Sequence, residues 1–144
     1  MRYWIEVRYP VVAGDFRNVL YFSEGPSYER AMRMSKGDEV LYYETKVRPG
    51  AKPGLVGSQT IHGRFVISGD LKRLPPHEWV SVGGRTLEFT RAAEEKVYLN
   101  NKQMGIPLSR VKEVLGNRPM YCMEISKRQF EILADELERR QMGQ

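Results

Sequence analysis

The sequence predicts an α+β domain in which a bent sheet or small barrel is flanked by short helices and closed by a C-terminal one. Three observations carry that expectation. Short apolar and aromatic runs recur along the chain between turn residues, which is the signature of short strands. The segment 55–68, LVGSQTIHGRFVIS, is long for a strand and holds Gly57 and Gly63, where a bulge or bend is expected. The end of the chain carries a capping box and an amphipathic face. The order is neither a βαβ alternation nor a bundle.

The elements follow in turn. YWIEVR at 3–8 reads as a first strand closed by Pro10, and RNVLYFS at 17–23 as a second, rich in aromatic and branched residues. After Glu24-Gly25-Pro26, Ser27 is placed to cap a short helix, YERAMRMS, that Gly37 ends. A third strand covers 39–45. In it Leu41 and Tyr43 share one face and Val40 and Tyr42 the other, so either both faces are buried or one tyrosine lines a pocket. RPGAKPG at 48–54 is a basic loop, and 55–68 the bent strand. DLKRLPPHEW is irregular, and VSVGGRTLEFTR places Gly83-Gly84 between two short strands. VYLNN and a loop lead to PLSRVKEVLG, a helix capped by Ser109 and ended by Gly116. MYCMEI at 120–125 reads as a strand. Ser126 and Gln129 then form a capping box, Ile125 and Phe130 a hydrophobic staple, and Phe130, Leu133, Ala134 and Leu137 the inner face of a helix over 127–140.

Composition narrows the functional classes. The 144 residues fit one domain, 1–144, with 41% hydrophobic and 28% charged residues, a globular balance. No apolar run approaches the roughly 20 residues of a membrane helix, and the start lacks a signal-peptide core, so a cytoplasmic protein without a membrane partner is expected. Cys122, His62 and His77 supply no zinc set and no disulfide, and no cofactor is expected. The motifs of nucleotide binding and hydrolysis, GxxxxGK[ST], GxGxxG, GxSxG and HExxH, are absent. A net charge of +5, from 23 Lys and Arg against 18 Asp and Glu, favours a polyanionic partner.

The first third concentrates Tyr3, Trp4, Tyr9, Phe16, Tyr21, Phe22, Tyr28, Tyr42 and Tyr43, with Arg2, Arg8, Arg17, Arg30 and Arg33 between them. Aromatic faces stack on unpaired bases and guanidinium groups hold phosphates, so the interleaving suits a flipped or single-stranded nucleotide. A small barrel also fills its interior with aromatics, and plain core packing accounts for the same residues.

Three stretches, RYWIEVRYP, ERAMRMSKGDEVLYYETK and GLVGSQTIHGRFVIS, resemble the EVE domain, one of the PUA-like group that also holds YTH modified-base readers and ASCH domains. MGIPLSRVKEVLG is similar to the proline-led segment and short helix near the end of such domains. The resemblance implies a PUA-like bent β-barrel of five to seven strands. It also implies a non-enzymatic reader of DNA or RNA that takes a flipped, methylated base into an aromatic pocket. Tyr21, Phe22, Tyr43 and Trp79 are the expected stacking residues, and Ser23, Thr45, Gln59 and Thr60 the expected readers of the base edge. Arg8, Arg17, Lys46, Arg48, Lys52 and Arg64 are expected on phosphate. Related domains are fused to modification-dependent restriction machines, which implies a larger partner.

Two competitors stand beside this expectation. An ASCH-like amidohydrolase acting on modified nucleosides needs a lysine, a threonine and a carboxylate. Glu44, Thr45 and Lys46 are consecutive, and strand neighbours point to opposite faces. A protein-interaction module would treat the basic charge as a solvated face.

Overall fold

In a computed structural model the described residues are 1–8, 18–46, 56–82 and 85–143. The predicted Gly83-Gly84 turn, the basic loop over 48–54 and the site residues Arg17, Arg48 and Lys52 lie outside them.

The sheet is mixed and strongly curled, a half-barrel. Strand β1 (Tyr3–Arg8) runs parallel to β3 (Glu39–Glu44), which pairs antiparallel with β4 (Thr60–Ile67). Beyond β4 comes β8 (Phe89–Tyr98), whose second half pairs with β4 and whose first half pairs with β2 (Val19–Phe22). On the far side of β1 lies β10 (Met123–Ile125). Two residue pairs extend the sheet beyond the expected five to seven strands: β5 (Lys72–Arg73) beside β8 and β9 (Ile106–Pro107) beside β4. A separate hairpin joins β6 (Val80–Val82) to β7 (Arg85–Leu87).

The bend expected in the fourth strand is present. Its pairing with β3 shifts between Tyr42 and Tyr43, skipping His62, and its pairing with β8 shifts at Arg64 and Phe65. Gly63 is required there, because a Cβ would lie 2.7 Å from the Phe65 ring. Gly57, the other expected bend point, precedes the strand.

Three helices flank the sheet. α1 (Pro26–Arg33) starts from Gly25, at φ 100°, with proline in its first turn, so the helix begins before the expected Ser27 cap. α2 (Leu108–Leu115) begins one residue before the expected Ser109 cap and ends at Gly116, whose φ of 79° is the left-handed conformation that glycine supplies. α3 (Lys127–Met142) has the predicted capping box between Ser126 and Gln129, and Phe130, Leu133, Ala134 and Leu137 are its buried residues. No described helix is long and apolar enough to cross a membrane.

Both faces of the sheet are buried, and this resolves the paired tyrosines. Strand alternation sends Trp4, Val40, Tyr42, Phe65 and Ile67 into one core with Leu20 and Phe22 of β2 and Ala31 and Met34 of α1. It sends Ile5, Leu41, Tyr43 and Ile61 into a second core, which α2 and α3 close with Val111, Phe130, Leu133 and Leu137. Tyr42 therefore belongs to the barrel side and Tyr43 to the helix side.

Candidate functional site

The polar chemistry gathers at the barrel end formed by the C-termini of β1, β3 and β8 and the start of β4. Tyr42 is stacked on Phe65, with ring centres 3.9 Å apart and planes inclined by 23°. Tyr98 meets Phe65 edge-on at 6.2 Å and His62 edge-on at 5.2 Å, so four rings run in contact from β3 across β4 to β8. Arg8 covers the outer end of the run: its guanidinium carbon lies 3.8 Å from the Tyr42 ring centre. Its Nη2 also donates to the Val19 carbonyl at 2.6 Å, and the Tyr42 hydroxyl donates to the same oxygen at 3.3 Å.

Those bonds form a seam. β2 and β10 end the strand order of the curled sheet, and among the described residues no ladder joins β2 to β1. Side chains bridge the gap instead, from Arg8 and Tyr42 to Val19 and from the Tyr121 hydroxyl to the Tyr21 carbonyl at 3.2 Å.

Behind the seam sits Glu6, on the same face of β1 as Trp4 and Arg8 and in register with Tyr42. The residue is 2% exposed and its Oε2 is buried without a hydrogen-bond partner among the described residues. Burial raises the carboxyl to a pKa of about 7, with Arg8 opposing the shift. Burial also raises the Tyr42 phenol, against the pull of Arg8, with Glu6 and Glu95 adding to the rise. Cys122 nearby is raised by burial and by Glu6.

The rim is made by the turn into β4. Glu44 accepts from the Ser58 backbone at 2.9 Å and from Lys102 Nζ at 2.8 Å. Thr60 donates to the Lys102 carbonyl at 2.6 Å and shares a hydrogen bond of 2.8 Å with Ser58. Gln59 holds a φ of 55°, and its carbonyl accepts from Leu108 at 3.1 Å. Gly57 passes so close to the end of β3 that a Cβ would collide with the Thr45 carbonyl oxygen. Thr45 Oγ1 is buried without a partner among the described residues. Thr45, Gln59 and Thr60 are thus brought together at this end, and Lys46 is exposed beside them.

The expected stacking residues are not brought together. Phe22 is fully buried in the barrel-side core, and Tyr43 is buried in the helix-side core, its phenol raised by burial with Arg118 opposing. Tyr21 is half-buried on the opposite face of β2 from Leu20 and Phe22, and Ser23 is buried just past that strand. Trp79 is 39% exposed and donates to the Leu74 carbonyl at 2.9 Å, near the start of β8, whereas Tyr98 is at that strand's other end. Arg64 is held by Glu39 at 2.7 and 3.0 Å and by Glu138 at 3.2 Å, so its guanidinium is engaged within the protein. Its pKa is raised, first by the hydrogen bond to Glu39. Glu44 pairs with Lys102.

Two clefts lie away from this end. One is lined by Arg2, Arg33, Lys36 and Asp38, the other by Glu24, Tyr28, Arg73 and Phe89. Their cations are matched by Glu124, Asp70 and Glu24. Among the described residues no three His, Cys, Asp or Glu side chains are grouped to hold a metal ion.

No family model and no curated protein matches the sequence. Solved structures do. A Leishmania major protein superimposes with a TM-score of 0.59 at 10% identity, over 98% of this chain and 97% of that one. A Rhodopseudomonas palustris protein gives 0.57 at 12% identity, over 96% and 94%. The human THYN1 protein, solved in complex with 5-methylcytosine-containing DNA, gives 0.53 at 9% identity, over 96% and 98%. The fold is the PUA-like one that these structures share. At this barrel end Glu6, Tyr42, His62 and Phe65 are buried and Tyr98 is half-buried. Sequence reasoning missed Glu6 and Tyr98. The signal for Glu6 was a carboxylate two residues from Trp4, on the same face of the first strand.

Proposed function

We propose that the chain is a non-enzymatic nucleic-acid reader that takes one extruded, modified base against the Tyr42 ring at the barrel end. The single observation carrying this reading is the Arg8 guanidinium, a planar cation 3.8 Å from the Tyr42 ring centre, where a planar base would stack. In the free chain Arg8 covers the ring. In the complex it swings to the phosphate beside the flipped nucleotide, and Lys46 at the rim adds a second cation. Stacking is worth roughly 1–3 kcal/mol per base and flipping costs a few, so hydrogen bonds to the base edge must supply the remainder.

The likeness of the fold to THYN1, which was solved with 5-methylcytosine DNA, supports a modified base as the ligand. In that role the chain is the specificity element of a larger modification-dependent restriction or processing machine, which supplies the chemistry a reader lacks.

Fluorescence anisotropy tests the proposal, with matched DNA and RNA oligonucleotides that are unmodified or carry methylcytosine or methyladenine, at two salt concentrations. A salt-sensitive preference for one modified strand is the expected result. Weak binding without preference would overturn the reader and direct the search to nucleoside turnover or a protein partner.

A further inference from the structure

Glu6 is the buried charged group that stacking on Tyr42 leaves unexplained. It is 2% exposed, faces the barrel side of β1 beside Tyr42, and keeps Oε2 buried without a partner among the described residues. Native structures satisfy nearly all such atoms, so a site that retains one is short of a partner. The charged and titratable groups that act on it or on its neighbour Tyr42 are Arg8 on β1, Cys122 in the turn before β10, and Glu95 on β8.

A carboxyl presents two different edges. Protonated, it offers an O–H donor beside a carbonyl acceptor. That pattern complements an amino group beside a ring nitrogen, the edge of cytosine and adenine. Ionised, it offers two acceptors, which complement the adjacent N–H groups of guanine. With the carboxyl raised to about 7, both forms are populated near neutrality.

We propose that Glu6 reads the Watson–Crick edge of the extruded base, its neutral carboxyl selecting the amino and ring-nitrogen edge of cytosine and adenine. This rests on the reader function above. The C5 methyl of a methylcytosine lies on the far side of the ring from that edge, so modification and base identity are read by different walls, the aromatic run and the carboxyl.

The consequence is a pH-dependent base preference. The ratio of affinity for cytosine over guanine is greatest below pH 7 and falls ~100-fold between pH 6 and pH 8, because the neutral form that takes cytosine is lost as the ionised form that takes guanine is gained. Glu6→Gln fixes the acceptor and donor of the neutral form, and its preference stays level across that range. Glu6→Leu removes both edges, and the preference disappears at every pH.

The experiment is anisotropy titration of wild type, Glu6→Gln and Glu6→Leu at pH 6, 7 and 8 and fixed salt. The probes are otherwise identical single strands carrying one cytosine, 5-methylcytosine, adenine or guanine, and thermal melting verifies that each variant is folded. His62, at the end of the aromatic run, is the same in all three proteins. A slope that survives in Glu6→Gln therefore belongs elsewhere and overturns the assignment. A wild-type preference that is level with pH, or one that Glu6→Leu retains, also overturns it while leaving the reader intact. Wild type that binds none of the probes overturns the reader and this assignment together.

Discussion

The guanidinium carbon of Arg8 lies 3.8 Å from the centre of the Tyr42 ring while its Nη2 donates to the Val19 carbonyl at 2.6 Å. One side chain thus joins β1 and β3 to β2, to which β1 has no ladder among the described residues. Arg8→Ala removes a cation–π contact and a hydrogen bond from a charged donor, and the expected loss is ~2 kcal/mol of stability in urea denaturation. Arg8→Lys keeps the charge without the planar group and recovers only part of it. An unchanged midpoint for Arg8→Ala would remove the seam from the account of the fold.

Arg64 and Lys46 make a contrasting pair. Arg64 is held by Glu39 and Glu138, whereas Lys46 is exposed at the rim. Lys46→Ala is expected to reduce the slope of log affinity against log salt by about 1, the effect of one phosphate contact. Arg64→Ala is expected to leave that slope unchanged and to lower stability by ~1 kcal/mol, because it frees Glu39 of its partner. Equal slopes for the two variants would contradict this division.

Glu6 ties stability to pH. Its folded pKa, about 7, lies above the ordinary 4.5, so the folded state binds the extra proton between those values. The stabilising contribution is complete below pH 4.5 and is lost as pH rises through 7, by on the order of 3 kcal/mol. Glu6→Gln removes the ionisation and is expected to be more stable than wild type at pH 8, with the difference vanishing near pH 4.5. Denaturation at both pH values checks this, and parallel wild-type and variant profiles would sink it.

Local signals were the legible ones. Ser126, Gln129 and the four buried residues of α3 lie within a few turns of one another, so their pattern needs no tertiary knowledge. At α1 two local rules competed, and proline in the first turn displaced the cap from Ser27 to Gly25. The middle of β8, RAAEEK, is made of helix-forming residues and becomes strand because β2 and β4 both pair with it. MYCMEI shortens to Met123–Ile125 because Cys122 adopts a φ of 53°. At the site, alternation separated Tyr42 from Tyr43 without telling which faced the barrel, since both faces of β3 are buried. Glu6 escaped notice because a carboxylate in a strand ordinarily marks the solvent face.

Arg91 carries the last prediction. It is 7% exposed, and its guanidinium donates to the carbonyls of Ala31 at 3.3 Å, Met34 at 2.8 Å and Gly69 at 2.8 Å. It thereby adds donors at the C-terminal end of α1, where the Met34 N–H reaches only the Ala31 carbonyl, and fastens that end to β8 and to the turn after β4. Burial lowers its pKa, while Asp70 and Asp38 oppose the shift. Arg91→Met fills the space and takes the donor from the Met34 and Gly69 carbonyls, while Ala31 keeps the Met34 N–H at 3.2 Å, at an expected cost of ~2 kcal/mol. Arg91→Lys recovers little, because one ammonium on a flexible stem does not reproduce the planar fork that spans three acceptors. Urea denaturation followed by circular dichroism measures both variants. A lysine variant as stable as wild type would show that charge, and not the fork, holds α1 in place.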